Sequence, residues 1–561
     1  MVSKSEPALE SLQGELKLKD NVFRHVDGFL AKYFKNRSWT AAVRHTIRDA
    51  KSADMVNKLS TSIFNIVQLD TLMDWLVDFR SLVFAADPNI SFCFRCESIT
   101  TPESRFSASI YFETENFSAA AGNTRVYGEY HHGDAPVTGD NDDYLLFAAR
   151  AVQVFKAQPT RHFLHAFILR GTTLELWVFD RAGAYSSKLV DLAQNSQELL
   201  HTLAGYGMMG DEEAGINTFV KCLGPASDNY VSFDEGIKLY LRPEMLAAPG
   251  HLVGLGTTCF AASQSTVAKP NSVVKFSWRA DTTTAELQLL QLAHKRKVCG
   301  IIQLLGHQDL VNIADLRKPL QFPRSFVNRK LSCVATSPLG RPIRKFASIR
   351  ELLEVLGDLV KALGSLYLDG RMLHRDIAIK NLVINPQPSG GSSKGVLIDF
   401  DMALDLDQGP PPRQIVGSDG FMAIGVLFGH AHSYRHDLES LFYVFLWLAI
   451  ANDSEHDHAY EILERLPESR LQKWYSPVLN FPAVGQAVIN DMKPEAFEGI
   501  LGEFSDDFIP LKGLAKELHE IIFPVRDGAI FVGTDKGQEA AKRLYTGMED
   551  AFKRSAMSFE E

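Results

Sequence analysis

Leu373-His374-Arg375-Asp376-Ile377-Ala378-Ile379-Lys380-Asn381, followed by Leu397-Ile398-Asp399-Phe400-Asp401, is the stretch around which the rest of the chain is organised. Each polar residue in it has a chemical reason for its place. An Asp after His-Arg can accept the proton of a hydroxyl as that hydroxyl attacks a γ-phosphate, and Asn381 and Asp399 offer the oxygen ligands that Mg²⁺ prefers. Leu382-Val383-Ile384 and Val396-Leu397-Ile398 read as two short buried strands. The Pro/Ser/Gly-rich segment from Asn385 to Lys394 reads as the turn between them. Such a hairpin makes the three polar groups converge from two flanking loops. The triplet alone is weak; with the Asn at its offset and an Asp-Phe after a second strand, it becomes specific.

These spacings match the catalytic loop and the metal-binding loop of protein kinases. The composition agrees with a large globular protein. The 561 residues are 45% hydrophobic and 22% charged, enough for two to four domains. A net charge of -10 argues against a general nucleic-acid or anionic-membrane binder. Cys93, Cys96, Cys222, Cys259, Cys299 and Cys333 are few and scattered, which favours a reducing, intracellular setting, cytoplasm or nucleus. The N-terminus has no apolar run of the secretory kind, and the longest apolar run, Leu441 to Ala451, suits a buried helix rather than a membrane span.

Upstream of the catalytic loop, residues up to about 85 carry apolar side chains at helical spacing over Asn21 to Phe34, Thr40 to Val67 and Leu69 to Phe84. Strands are expected at Ile90–Phe94, Ser107–Phe112, Thr124–Glu129, His162–Leu169 and Leu174–Asp180. Helices are expected at Tyr144–Ala157 and Asn195–Gly205, a polar loop over Gly133 to Asp143, and a linker over Ser227 to Glu235. Cys93-Phe94-Arg95-Cys96 is a lone C-x-x-C whose cysteines would face opposite sides of a strand, so two ordinary thiols explain it better than zinc.

Leu252-Val253-Gly254-Leu255-Gly256-Thr257-Thr258-Cys259 follows, a G-x-G-x-x-C in which Gly254 and Gly256 would let backbone N–H groups approach phosphates. Lys275, on the expected strand Ser272–Phe276, stands where a lysine would bridge the α- and β-phosphates. Glu286 lies early in an expected helix, Asp281 to Arg296, capped by Asp281 or Thr282, and is suited to pair with Lys275. His294-Lys295-Arg296-Lys297 reads as a basic helix end rather than a nuclear signal. Gly300–Leu305 and Leu331–Ser337 read as strands, Ser337-Pro338-Leu339-Gly340 as a hinge, and Ile349 to Leu368 as an amphipathic helix. Ser418 is read as a hydrogen-bond donor toward Asp376 or, less economically, as a phosphosite facing Arg375. Asp437, at the start of a helix running to Ile450, is expected to bind backbone N–H groups of the catalytic loop. The histidines around it carry no metal pattern. Ala459–Glu464, Pro494–Phe504, Ile509–Ile522 and Glu539–Arg554 read as further helices.

Taken together, the chain resembles the fungal-type protein kinase family. The matching stretches are Leu373–Ile377, Leu397-Ile398-Asp399-Phe400-Asp401-Met402-Ala403, Gly420-Phe421-Met422-Ala423-Ile424 and Tyr434-Arg435-His436-Asp437-Leu438-Glu439-Ser440. Upstream, Phe155–Arg161 and Leu176–Ala184 match as well. The resemblance implies an α+β, bilobal protein-kinase-like fold preceded by a helical and α/β N-terminal region. The expected parts are a helical region 1–88, an α/β accessory domain 89–230, an N-lobe 231–338 and a C-lobe 339–561. It implies transfer of the ATP γ-phosphate to protein Ser/Thr hydroxyls, with ATP and Mg²⁺ as cofactors, a protein substrate, and no membrane or nucleic-acid partner. Carried over, Asp376 is the base, Asn381 and Asp399 bind Mg²⁺, Gly254 and Gly256 cover phosphates, and Lys275 anchors them with Glu286 holding it.

The sequence departs from general kinases in four places. Cys259 replaces the third glycine, Asp-Phe-Asp replaces Asp-Phe-Gly, and Gly425 stands where a Glu would steady the activation segment. Ala378 lies where a Lys is common, and Lys380 is expected to reach the γ-phosphate instead. Cys259 and Gly425 motivate an alternative, a pseudokinase scaffold acting through protein–protein contacts. Gly128-Glu129-Tyr130-His131 resembles a strand of restriction-nuclease-like folds, but His131 stands where lysine is needed, so interaction or autoinhibition is the expected role of that domain.

Overall fold

A computed structural model describes residues 21–559 apart from 36, 49–52, 85–91, 100–105, 115–122, 134–140, 223–228, 235, 281–285, 387, 389–392, 452–458 and 476–477. The expected cap at Asp281 or Thr282, most of the loop Gly133–Asp143, and parts of the linker Ser227–Glu235 and of the hairpin turn lie outside the described residues. The chain forms two compact units. One comprises Met1–Pro270, Val274–Thr283 and Gly306–Val334, the other Asn271–Val273, Thr284–Leu305 and Ala335–Glu561.

The first unit holds most of two large sheets. Strands β1 (Val22–Phe23), β2 (Phe92–Ile99), β3 (Ser107–Thr114), β4 (Thr124–His131), β5 (Phe163–Arg170), β6 (Thr173–Asp180) and β7 (Gly183–Ser186) are ordered β1-β7-β6-β5-β4-β3-β2, with β8 (Val190–Asp191) beside β6. β2, β3 and β4 form an antiparallel meander. β4 and β5 run parallel, so a crossover is required, and the helix Asn141–Ala157 supplies it. The period-two pattern sends alternate residues to opposite cores. Phe112, Val126, Tyr130 and Phe167 pack with the N-terminal helices and the helix Gln197–Met208, whereas Tyr127, Ala166, Trp177 and Phe179 pack with Phe147, Val154 and Phe155 of the crossover helix.

The helix expected from Asn21 begins only at Phe29. Val22 and Phe23 instead pair in parallel with Ala184 and Tyr185, and Gly28, at a φ of 81°, turns the chain into the short helix. Edge pairing with the sheet outweighs the local helical pattern there. Within the helical stretch expected over Thr40–Val67, Thr40–Arg48 and Ala53–Ser62 are helical and Ile63–Asn65 is a 3-10 turn, while 49–52 lie outside the described residues.

The second sheet is ordered β14-β15-β13-β12-β11-β10-β9, from β9 (Lys221–Cys222), β10 (Asn229–Ser232), β11 (Lys238–Ala247), β12 (Thr258–Ser263), β13 (Ser272–Ala280), β14 (Gln303–Asn312) and β15 (Arg329–Ser337). The strand expected at Gly300–Leu305 is thus displaced to Gln303–Asn312. A buried ion pair ties the end of β6 to the short helix Ile313–Arg317 that follows β14: Arg317 donates from Nε and Nη2 to both oxygens of Asp180, each at 2.8 Å.

The second unit is built on helices. Ile349–Leu368, capped by Ser348 through the Glu351 N–H, packs its apolar face into one core with Tyr434–Ile450 and Gln538–Ser558. Tyr434–Ile450 is buried along its whole length. A helix not anticipated from the sequence, Phe481–Asp491, starts behind the Asn480 cap with a proline in its first turn. Among the described residues no helix is long and apolar enough to cross a membrane.

Candidate active site

In the second unit the expected hairpin forms between Leu382–Ile384 and Gly395–Leu397, its second strand one residue earlier than expected, with Leu382 opposite Leu397 and Val383 opposite Val396. Ile398 donates its N–H to the Asn381 carbonyl at 3.1 Å, so Asn381 and Asp399 leave adjoining strands beside each other. The loop before the hairpin is held from below. Asp437 accepts the N–H of His374 on Oδ2 and that of Arg375 on Oδ1, both at 2.9 Å. Burial works against the charge on Asp437, but His432, whose Nε2 lies 3.3 Å from Oδ1, and the backbone N–H donors outweigh it and hold the carboxyl below its ordinary range. His374 receives the Asp376 N–H on Nδ1 at 3.3 Å and lies 3.0 Å from the Ile398 carbonyl through Nε2. This assigns the proton to Nε2 and ties the two loops together.

Asp376 is buried, at 8% exposure, with its carboxylate turned into a cleft. Ser418 Oγ donates to Oδ1 at 2.7 Å. Asn381 Nδ2 donates to Oδ2 at 2.9 Å and to the Asp376 carbonyl at 2.7 Å, and Lys380 Nζ lies 3.8 Å from Oδ2. The Asn381 amide thus commits its nitrogen to Asp376 and keeps its oxygen as a possible metal ligand. Arg375, at a φ of 67°, donates from Nε to the Met402 carbonyl at 2.7 Å, so Ser418 faces Asp376 and not Arg375. The cleft, about 370 Å³, is lined by Asp376, Lys380, Ser418, Asp419, Tyr460 and Tyr475 among others.

A second cluster forms behind the hairpin. Glu286, 3% exposed, accepts the Phe400 N–H on Oε1 at 3.1 Å. Carboxylate oxygens of Glu286, Asp399 and Asp401 all lie within 4.8 Å of one another. Three carboxylates at this separation repel one another, and a hard divalent cation with oxygen preference fits them. Asp399 sits in the left-handed region, at a φ of 64°, which few residues with a side chain adopt.

Gly254, Gly256 and Lys275 belong to the first unit. Gly254 and Gly256 adopt φ values of 138° and 52°, and Lys275 is half-buried on β13. Glu129, the acidic residue of the nuclease-like stretch, is spent on protein partners. It pairs with His131 Nε2 at 2.9 Å and Arg150 Nη1 at 2.7 Å and accepts the Tyr127 hydroxyl. Arg296 donates to Asp405 and Asp407 at 2.8 and 2.7 Å, which accounts for the basic end of its helix.

Sequence reasoning missed Glu439. At Gly425 a side chain would collide with His436, whose Nε2 lies 2.5 Å from an added Cβ. The carboxylate absent there is supplied one helix away. Glu439 accepts the Ile424 N–H at 2.7 Å and the Tyr443 hydroxyl at 2.7 Å, and is paired with Arg435. The four-residue spacing of Arg435 and Glu439 on a helix was the available signal.

The family described as Fungal protein kinase matches residues 115–449, more than half of the chain, and the chain belongs to this family. No curated protein matches it.

Proposed function

We propose that this chain transfers the γ-phosphoryl group of ATP to a Ser or Thr hydroxyl of a protein substrate. The reading rests chiefly on the Asp376 carboxylate, buried yet turned to a cleft, with Asn381 and Lys380 on one oxygen and a hydroxyl on the other. Ser418 donates from the side on which a substrate hydroxyl would approach. Asp376 would accept the proton of that hydroxyl through Oδ1 as the new P–O bond forms, a contribution of roughly 10²–10⁴ in rate. Lys380 offsets the negative charge beside Asp376. Asn381 and Asp399 would hold Mg²⁺, with Glu286 and Asp401 close to the same place; when bound, the ion neutralises charge on the phosphates. Lys275 would anchor the phosphates, while Gly254 and Gly256 present backbone to them. The same reading takes 231–338 and 339–561 as the two lobes of a kinase and the residues before them as an accessory region.

Thermal unfolding with and without Mg²⁺-ATP tests nucleotide use. At a hundredfold excess over the dissociation constant, a ligand of the folded state adds about 2.7 kcal/mol. In a chain of this size that is a rise of a few degrees. The rise is expected to need Mg²⁺ and to vanish in Asp399→Asn. No rise at millimolar Mg²⁺-ATP would favour a scaffold over an enzyme.

A further inference from the structure

The residue that holds the glycine loop comes from the accessory sheet. Arg181, immediately after β6, is fully buried and reaches from that sheet to the loop. Its Nη1 donates to the carbonyls of His251 and Leu252 at 3.0 and 3.3 Å, and its Nη2 to that of Pro159 at 3.2 Å. Its own carbonyl accepts the Gly254 N–H at 3.2 Å. The guanidinium lies against Gly256 so closely that an added Cβ would stand 2.7 Å from Nε. The charge of Arg181 faces carbonyl oxygens and the Phe155 ring, 4.9 Å away, rather than a carboxylate among the described residues.

Further along the loop, two more carbonyls and two side chains are engaged. Leu252 and Val253 are buried in the core formed with Tyr127, Phe155, Trp177 and Phe179. The Leu255 carbonyl accepts the Trp278 N–H at 2.6 Å, and the Gly256 carbonyl accepts the Thr258 hydroxyl at 3.3 Å. The N–H groups of Leu255 and Gly256 have no protein acceptor among the described residues. With the His251, Leu252, Leu255 and Gly256 carbonyls bonded and the Leu255 and Gly256 amides left over, the loop can receive an anion with little further ordering.

We propose that Arg181 is the positioning residue of the phosphate-binding loop, and that the accessory domain is thereby a structural part of nucleotide binding. This rests on the kinase reading of Gly254 and Gly256. Adjacent residues thus make separate ties: Asp180 pairs with Arg317, while Arg181 holds the loop.

The test uses the full chain and Mg²⁺-ATP, with Arg181→Lys, which keeps the charge but loses the forked donor, and Gly256→Ala, which pushes on the same contact from the loop side. Arg317→Lys is the control for a comparably buried arginine that does not touch the loop. Three readouts are taken: amide hydrogen exchange of residues 250–258, the dissociation constant for Mg²⁺-ATP, and the split between KM for ATP and kcat. Expected are faster exchange at 250–258 and a rise of about tenfold or more in both constants for Arg181→Lys and Gly256→Ala, with kcat little changed and neither effect in Arg317→Lys. Unchanged or tighter nucleotide binding in Arg181→Lys, in a protein whose wild type binds Mg²⁺-ATP, would overturn the assignment. So would equal loosening of the loop in Arg317→Lys. If the wild type itself does not bind Mg²⁺-ATP, the kinase reading fails and takes this proposal with it, an outcome the wild-type measurement separates from the others.

Discussion

Among the described residues each unit holds an arginine–carboxylate pair buried on both sides, and the two pairs do different work. Asp180 and Arg317 are 137 residues apart, and their side chains are 2% and 1% exposed. The guanidinium also lies over the rings of Phe23, Tyr185, Phe322 and Phe326 at 4.3–5.5 Å. That pair fastens the end of β6 to the helix Ile313–Arg317 and, among the described residues, makes no hydrogen bond or ion pair with the candidate site. Arg435 and Glu439 are four residues apart on one helix, and Glu439 reaches out to fix Ile424, just beyond the cleft. One pair is a fold staple; the other stands in for a carboxylate at Gly425. The same chemistry thus serves stability in one unit and the geometry of the site in the other.

The largest expected effects break these pairs singly. Asp180→Asn and Glu439→Gln each leave a buried guanidinium without its counter-charge, a cost of about 3–5 kcal/mol by denaturant titration. They are expected to differ in activity. At a temperature where both variants remain folded, Asp180→Asn retains kcat, whereas Glu439→Gln loses it because its single amide oxygen cannot serve both Arg435 and the Ile424 N–H. Equal losses of kcat in both would erase the distinction.

Acid sharpens the comparison at an intermediate size. Burial and Arg161 push His162 down to about 4 and His165 to about 3 in the first unit. Burial and His432 push His436 down to about 3 in the second. Each folded value lies below that of the unfolded chain, so the unfolded state takes up protons first. Stability is therefore complete above about pH 6.5 and is lost as pH falls toward 3–4, by about 1.4 kcal/mol per histidine per pH unit. His165→Asn is expected to reduce the slope between pH 6.5 and 5 by about that amount in urea titrations; an unchanged slope would mean that His165 titrates normally in the fold. His436 accepts the Ser433 N–H on Nδ1, so its protonation would also fray the helix that carries Asp437.

The smallest effect is at Ser418. Removing its hydroxyl in Ser418→Ala takes one hydrogen bond from Asp376, worth about 1 kcal/mol, in a cleft where water can replace it. A loss of activity under tenfold is expected. A loss as large as that of a catalytic residue would give Ser418 a direct part in the reaction.

How far the sequence could be read follows the same division. The hairpin and the helices Ile349–Leu368 and Tyr434–Ile450 were legible because their signals are local: a short apolar run, a cap, a 3.6-residue period. Asp437 beneath His374 and Arg375, and Ser418 facing Asp376, followed from chemistry at fixed offsets. The first unit was legible strand by strand over β3 to β6, but not in its ties. Val22–Phe23 joins the sheet through a parallel partner 162 positions away. β11 carries a mixed apolar and charged sequence that hides it. Nothing near Asp180 announces Arg317, and nothing near Gly254 announces Arg181. Those contacts are made by topology, and the sequence holds no periodic trace of them.

Transfer of labelled γ-phosphate from Mg²⁺-ATP to the chain itself and to a general protein substrate, compared between wild type and Asp376→Asn, tests the central claim most directly. The account predicts incorporation on Ser or Thr by the wild type, a fall of roughly 10²–10⁴ in rate in the variant, and the same Mg²⁺-ATP affinity in both. Incorporation that survives Asp376→Asn, or a wild type that binds Mg²⁺-ATP and transfers nothing, would contradict it.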